Sequence, residues 1–305
     1  MTISESQLKT WANQGATVTA QLTHEQIRNV LTSPNSALTQ NGYSEWRDYE
    51  IYLQGSYRNT TNIRSDSDVD IVVQFNKAFT TDLSSLNQVS RNLLVNKGFI
   101  LCPNPYIHWL TFYNHVYTTL RYHFQGQVKQ GNKSLKLLKD TNRLAADVVP
   151  CIRHLKFNSW RERIEGITFY KRDNSVEQII NFPKLHFDNG TNKNQKYTNQ
   201  RYKPTVRLFK NARLSLEGQS LITKGSVPSY FLECLLYNIP DGKFKPLYQE
   251  TYKESVAWLY QNFQSGDARK FICQNKQLYL FGNGADQWEY YSAKCFVNQL
   301  VNLWN

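Results

Sequence analysis

The run 69-VDIVVQF-75 restricts the fold more than any other segment. It is apolar and β-branched, so it reads as a strand inside a sheet. Yet Asp68 and Asp70 stand at its entrance, and Asp66 lies just ahead of them. Strand side chains alternate between faces, so residues 68 and 70 project together. Two like charges so placed cost free energy unless a cation joins them, and carboxylate oxygens are the ligands that hard divalent cations take. Two carboxylates alone make a poor cage for Mg²⁺, which completes its shell with waters and phosphate oxygens. The pattern therefore points to a phosphorylated ligand. Gly55 and Ser56, with Ser56 twelve residues before Asp68, suit that ligand. Glycine lets the backbone approach closely, serine adds a hydroxyl, and the amides that follow can open a helix or nest that holds phosphate. Asp66 precedes the strand proper and reads as a solvated or capping residue.

Displacement at phosphorus between two metal ions uses one more carboxylate, at the end of a neighbouring strand. Asp147, in 144-LAADVVPCI-152, is the candidate. A carboxylate in an apolar run is kept where it is paired, hydrogen-bonded or metal-bound. Asp140 lies in a polar turn, and Glu50 has no apolar sequel. The order Gly-Ser, then carboxylate–apolar–carboxylate, resembles the polymerase-β-type nucleotidyltransferases. In the reaction this resemblance implies, Asp68 and Asp70 bridge two Mg²⁺ ions, with Mn²⁺ as the substitute, and Asp147 completes the site that activates a ribose hydroxyl. That hydroxyl attacks the α-phosphorus of a nucleoside triphosphate and pyrophosphate leaves, so alignment and charge stabilisation carry the catalysis.

Further along, residues 189 to 216 contain no acid and seven bases: Lys193, Lys196, Arg201, Lys203, Arg207, Lys210 and Arg213. Lys203, Arg207 and Lys210 can share one helical face and hold β- and γ-phosphates. A solvated basic helix and a nucleic-acid track are the competing readings. In 226-SVPSYFLECLLYNIP-240, Ser229 and Tyr230 open a helix. A helix start favours phosphate, and a tyrosine ring can stack on a base. Glu233, about a turn later, reads as a cap.

The chain has 305 residues, 40% of them hydrophobic, which is enough for a large core in one domain or two lobes. The net charge of +12 suits polyanionic ligands and admits a nucleic-acid partner without requiring one. Five scattered cysteines with no CxxC pair read as reduced thiols of a cytoplasmic protein. No secretory signal and no membrane span are expected. Helices are expected over 4–32, with Thr23 capping a second segment, and residues 33–43 hold loop formers, near which a helix can resume. Strands are expected at 69–75, 114–125 and 143–152, with a helix over 82–98, and 49–56 reads as a short strand or helix end running into a turn. From about residue 175 the pattern turns helical, at 204–217, 228–238, 246–265 and 287–304, and Pro204 and Pro228 suit first turns. The division expected is an α/β catalytic lobe over 1–175, including an N-terminal helix, and a helical lobe over 176–305 that helps bind the donor nucleotide.

The set 55-GSYRNTTNIRSDSDVDIVV-73, 145-AADVVPCIRH-154, 205-TVRLFKNAR-213, 228-PSYFLECLLYN-238 and 277-QLYLFGNGADQWEYYSAKCFVNQL-300 narrows the resemblance to the polymerase-β-type nucleotidyltransferases. Together these segments resemble the bacterial cGAS/DncV-like nucleotidyltransferases of anti-phage signalling. The resemblance implies a polymerase-β-like α/β (α+β) lobe with a mixed sheet, a mainly helical C-terminal lobe and an active site in the cleft. It implies that Asp68, Asp70 and Asp147 bind metal and that Gly55 and Ser56 form the phosphate turn. Lys210 and Ser229 then match residues at the donor triphosphate, and Tyr230 matches an aromatic that stacks on a base. Some relatives select uracil with an asparagine, which Asn181 in 180-INFPK-184 can match. The implied product is a cyclic di- or trinucleotide made from NTPs by a monomeric enzyme and read by a separate effector. Enzymes that adenylylate RNA ends, small molecules or proteins share the first motif, and a non-catalytic nucleic-acid binder is the third reading. No Cys/His cluster has the spacing of the animal enzyme's zinc insertion.

Overall fold

The computed structural model describes residues 3–63, 68–173, 175–284 and 287–304. The chain divides into two compact units, one of residues 17–57 and 66–183, the other of residues 1–16, 58–65 and 184–305. A single boundary after residue 175 does not describe this. Helix α1 (Glu5–Ala12) belongs to the second unit, because Leu8 and Ala12 are buried in that unit's core.

The first unit holds α2 (Val18–Thr32), α3 (Ala37–Gln40), β1 (Tyr49–Leu53), the start of α4 (Gly55–Asn59), β2 (Val69–Asp82), α5 (Gln88–Asn96), α6 (Pro105–Phe124), β3 (Val128–Gln130), β4 (Leu135–Leu137), β5 (Ala146–Phe157), β6 (Arg163–Tyr170) and β7 (Gln178–Asn181). The chain leaves this unit within α4, after Tyr57. The sheet runs β1-β2-β5-β4-β3, with β6 on the far half of β5 and β7 on β6. β2 and β5 are parallel and the other pairs antiparallel. Val69, Ile71, Val72 and Val73 are all fully buried, as expected of a central strand covered on both faces. Trp109, Phe112, Val116 and Leu120 of α6 join that core.

Two expectations change here. Residues 114–125 fall largely within α6 and not in a strand. The buried positions 109, 112, 113, 116 and 120 repeat at helical spacing, and the period shows only when the window extends back to Pro105 at the first turn. Thr23 is not a cap: it lies inside α2, where its hydroxyl donates to the Thr19 carbonyl (2.8 Å) and accepts from the Leu144 amide (3.1 Å). Among the loop formers of 33–43 a helix does resume, as α3, capped by the Ser36 hydroxyl on the Leu38 amide (3.1 Å).

The second unit packs α7 (Pro183–Asn192, from Lys184 on), α8 (Tyr202–Gly218), α9 (Ser229–Tyr237), α10 (Tyr248–Ser265) and α11 (Tyr290–Trp304) with α1. α8 buries Tyr202, Val206, Phe209, Ala212 and Leu216 at helical spacing. No disulfide joins the five cysteines, and Cys151, Cys234 and Cys273 are buried. No helix among the described residues is long and apolar enough to cross a membrane.

Candidate active site

The parallel pairing of β2 with β5 aligns Asp70 with Asp147. Neighbouring strands lie about 4.8 Å apart, so partnered residues present their side chains on one face side by side. On its other flank Asp147 faces Lys136 of β4, and it accepts a hydrogen bond from the Ser134 hydroxyl (3.0 Å). Asp68 is exposed, one residue before β2 begins. Asp66 lies outside the described residues.

The turn that follows β1 adjoins the start of β2. The Gln54 amide donates to the Asp70 carbonyl (2.9 Å). Gly55 has φ +65°, and a Cβ there would stand 1.9 Å from Asp70 Oδ2. Only glycine both adopts that backbone and leaves room for the carboxylate. Ser56 follows, half-buried, in α4. This donor set, all oxygen, with a glycine cradle under one carboxylate, fits a hard divalent cation that arrives with phosphate. Among the described residues no three His, Cys, Asp or Glu side chains gather to hold a metal unaided.

In the helical unit the basic run is mostly internal. Arg207 donates to the carbonyls of Ala12 and Thr60 (2.6 Å each), Lys203 to the Thr191 hydroxyl (3.1 Å), and Arg201 to the Pro246 carbonyl (2.7 Å). Lys193 reaches the Ile239 carbonyl (2.8 Å) and Asp241 (2.6 Å). Lys210 is 2% exposed, and its Nζ donates to Glu233 (2.6 Å), to the Thr61 hydroxyl (3.1 Å) and to the Thr61 carbonyl (3.2 Å). An ammonium has three N–H donors, so all of them are engaged. The expected phosphate face of α8 thus serves first to hold its own unit together.

Glu233 is no cap. Its Oε1 accepts from Thr61 (2.6 Å) and Lys210 (2.6 Å), and its Oε2 from Asn59 (3.1 Å) and His186 (3.0 Å). Burial pushes its carboxyl up, but the Lys210 charge and the His186 hydrogen bond more than reverse this, leaving it well below the usual carboxylate range. Ser229 and Tyr230 do open α9, and Arg213 lies 3.4 Å from the Ser229 hydroxyl. Asn181 ends β7 in the sheet unit, half-buried and paired with Ile167. Its carbonyl would be 2.7 Å from a Cβ at Gly166, and the Phe182 ring 2.8 Å.

Two family models match the chain: a nucleotidyltransferase domain over residues 42–165 and the cGAS/DncV-like nucleotidyltransferase C-terminal helical domain over 188–305. A cyclic UMP-AMP synthase of Rhodothermus marinus is 42% identical over all of this chain and 98% of its own length. A cyclic nucleotide synthase, CdnE01, of Staphylococcus haemolyticus is 40% identical over all of this chain and 99% of its own length. The chain belongs to the cGAS/DncV-like nucleotidyltransferases. The fold agrees: the Rhodothermus marinus CdnE c-UMP-AMP synthase, solved with Apcpp and Upnpp, superposes with a TM-score of 0.83 at 41% identity, over 99% of this chain and 96% of that one. This cGAS/DncV-like nucleotidyltransferase is therefore an enzyme that joins NTPs, by metal-dependent transfer, into a cyclic oligonucleotide for anti-phage signalling.

Within this member of the family, the sequence pattern does not single out His186, Asn59 and Thr61, and it gives Glu233 a capping role in place of a buried acceptor. The signal for Glu233 was present. It sits in 231-FLECLLY-237, and the criterion that singled out Asp147 in an apolar run applies equally there. Gly166 is not singled out either. G166A is expected to destabilise the protein by about 1–3 kcal/mol, because the added methyl meets both the Asn181 carbonyl and the Phe182 ring, and the backbone oxygen cannot move aside as a flexible side chain can. Chemical denaturation measures this, and an unchanged midpoint would refute the close approach.

Proposed function

We propose that this enzyme joins UTP and ATP into a cyclic dinucleotide with one uridine and one adenosine, using two Mg²⁺ ions held by Asp68, Asp70 and Asp147. The observation that carries the chemistry is the parallel register of Asp70 with Asp147, above a glycine that leaves room for the Asp70 carboxylate. The choice of bases is supported by the identity, over the whole chain, to a cyclic UMP-AMP synthase, and by a similar structure solved with Apcpp and Upnpp.

When bound, the metal ions neutralise phosphate charge and lower the pKa of the attacking hydroxyl. The chain's own residues align the reactants. Gly55 and Ser56 receive the triphosphate with backbone amides and a hydroxyl, and Ser229 adds a second hydroxyl. Tyr230 stacks on a base. Lys210 reaches a phosphate only by giving up one of its bonds to Thr61. The Asn181 amide both donates and accepts, which matches the adjacent N–H and carbonyl of uracil. The enzyme acts as a monomer in the cytoplasm, needs no nucleic acid for the chemistry, and signals through a product that acts on a separate effector.

The test is synthesis by purified protein with Mg²⁺ and all four NTPs, then with each omitted in turn, followed by mass spectrometry of the phosphatase-resistant product. Loss of the heterodimeric product on omitting UTP or ATP, but not GTP or CTP, is expected. An unchanged product without UTP would overturn the base assignment, and linear or RNA-tailed products would overturn cyclisation. N181A should lower the preference for UTP over CTP about ten-fold, the worth of one to two hydrogen bonds. An unaltered preference removes Asn181 from the base pocket.

A further inference from the structure

Tyr230 has a backing. The His186 ring is stacked against it, with centroids 4.8 Å and planes 24° apart. The Asn275 amide donates to its phenol oxygen at 3.2 Å. Tyr230 is 40% exposed, whereas His186 is 4% exposed and held from beneath. His186 Nε2–H donates to Glu233 Oε2 (3.0 Å), and the His186 carbonyl accepts from Gln274 (2.6 Å). Nδ1 is buried without a hydrogen-bond partner among the described residues. The ring therefore uses one nitrogen as an anchor and its flat face as a support.

We propose that His186 is a positioning residue for nucleotide binding, which fixes the plane of Tyr230 so that a base can stack on it. The inference rests on the reading of Tyr230 given under Proposed function. Imidazole suits the task in a way other side chains do not. Phenylalanine would stack but could not be pinned by Glu233. Glutamine could be pinned but offers no ring. Through Glu233 the anchor is shared with Thr61 and Asn59, on the segment that follows the Gly55–Ser56 turn. A ring already held in its binding orientation loses less freedom when the base arrives, and this raises affinity without a new contact to the ligand.

Steady-state kinetics with UTP and ATP on the full-length protein separate this role from simple structural support. H186Q keeps a donor for Glu233 but loses the flat face, and is expected to raise the KM for NTP about ten-fold with kcat within about three-fold. H186F keeps the face but loses the donor, and is expected to lower thermal stability and to raise KM less than H186Q does. In Y230A, adding H186Q is expected to raise KM no further, because the two act as one unit. The reverse ranking, with H186F the worse for KM and H186Q benign, would overturn the inference. So would a full H186Q effect that persists in the Y230A background. An unchanged KM in Y230A itself would instead overturn the base-stacking reading, and this inference with it.

Discussion

D68N/D70N protein is expected to lose cyclic nucleotide synthesis by at least about 10³-fold while unfolding within a few degrees of the wild type. Asparagine has the shape of aspartate but not its charge, so the sheet has no reason to change. Asp68 is exposed and Asp70 half-buried, and neither is part of the apolar core that surrounds Val69 and Ile71. Substitutions of this kind away from core packing usually alter stability by under about 0.5 kcal/mol. Activity is different. Without two anionic ligands the site cannot hold the ions that stabilise charge on the transferring phosphoryl group, and removing one such stabilising interaction commonly costs about 10²–10³-fold. D147N alone should fall in the same range, since β5 brings Asp147 into register with Asp70. D66N is the control, and it should retain synthesis. Mass spectrometry of product against enzyme concentration measures all of these. Synthesis by D68N/D70N within ten-fold of wild type would sink the metal assignment, and a comparable loss in D66N would show that the motif had been read one carboxylate short.

The sequence made the chemistry of the sheet unit legible because strand geometry is local. Alternation relates Asp68 to Asp70 within three residues, and an apolar run around Asp147 marks it as a carboxylate with a purpose. That Asp70 and Asp147 are neighbours is not local, since it depends on a crossover of more than sixty residues that contains α5 and α6. Two-metal chemistry called for a further carboxylate on a neighbouring strand, and β5 brings Asp147 beside Asp70. The helical unit was less legible for the opposite reason. Helical periodicity correctly located α8, α9, α10 and α11, but period alone does not say whether a basic residue faces solvent or a buried acid. Arg207, Lys203 and Lys210 therefore looked like a phosphate face, whereas their partners, Ala12, Thr60, Thr61, Thr191 and Glu233, are scattered along the chain. The same blindness explains α1. The helix expected within 4–32 fits either unit, and only the packing of Leu8 and Ala12 assigns it to the second.

K210A is expected to cost about 3–5 kcal/mol of stability, the range found when one member of a buried ion pair is removed. For a chain of this size that is a fall of roughly 5–8 °C in Tm. The loss arises from what remains behind. Glu233 is 4% exposed and stays among three donors, but the charge that most strongly offsets its burial is gone. K210M/E233Q should be less destabilised than the sum of its single changes, because the double variant buries no unpaired charge. The pH dependence gives a sharper test. In the wild type the Glu233 carboxyl lies below the usual range, so the stability it contributes is present above the unfolded carboxylate pKa of about 4.3 and is lost only as the pH falls through its lower folded value. In K210A burial is no longer offset by the lysine, and the folded carboxyl moves up. The variant then pays for a buried charge near neutral pH and is relieved as that charge takes a proton. The stability gap between wild type and K210A should therefore be widest near pH 7 and shrink as the pH falls toward 4.5. A gap that is constant across that range would mean that lost packing, and not the ion pair, accounts for the effect of the lysine.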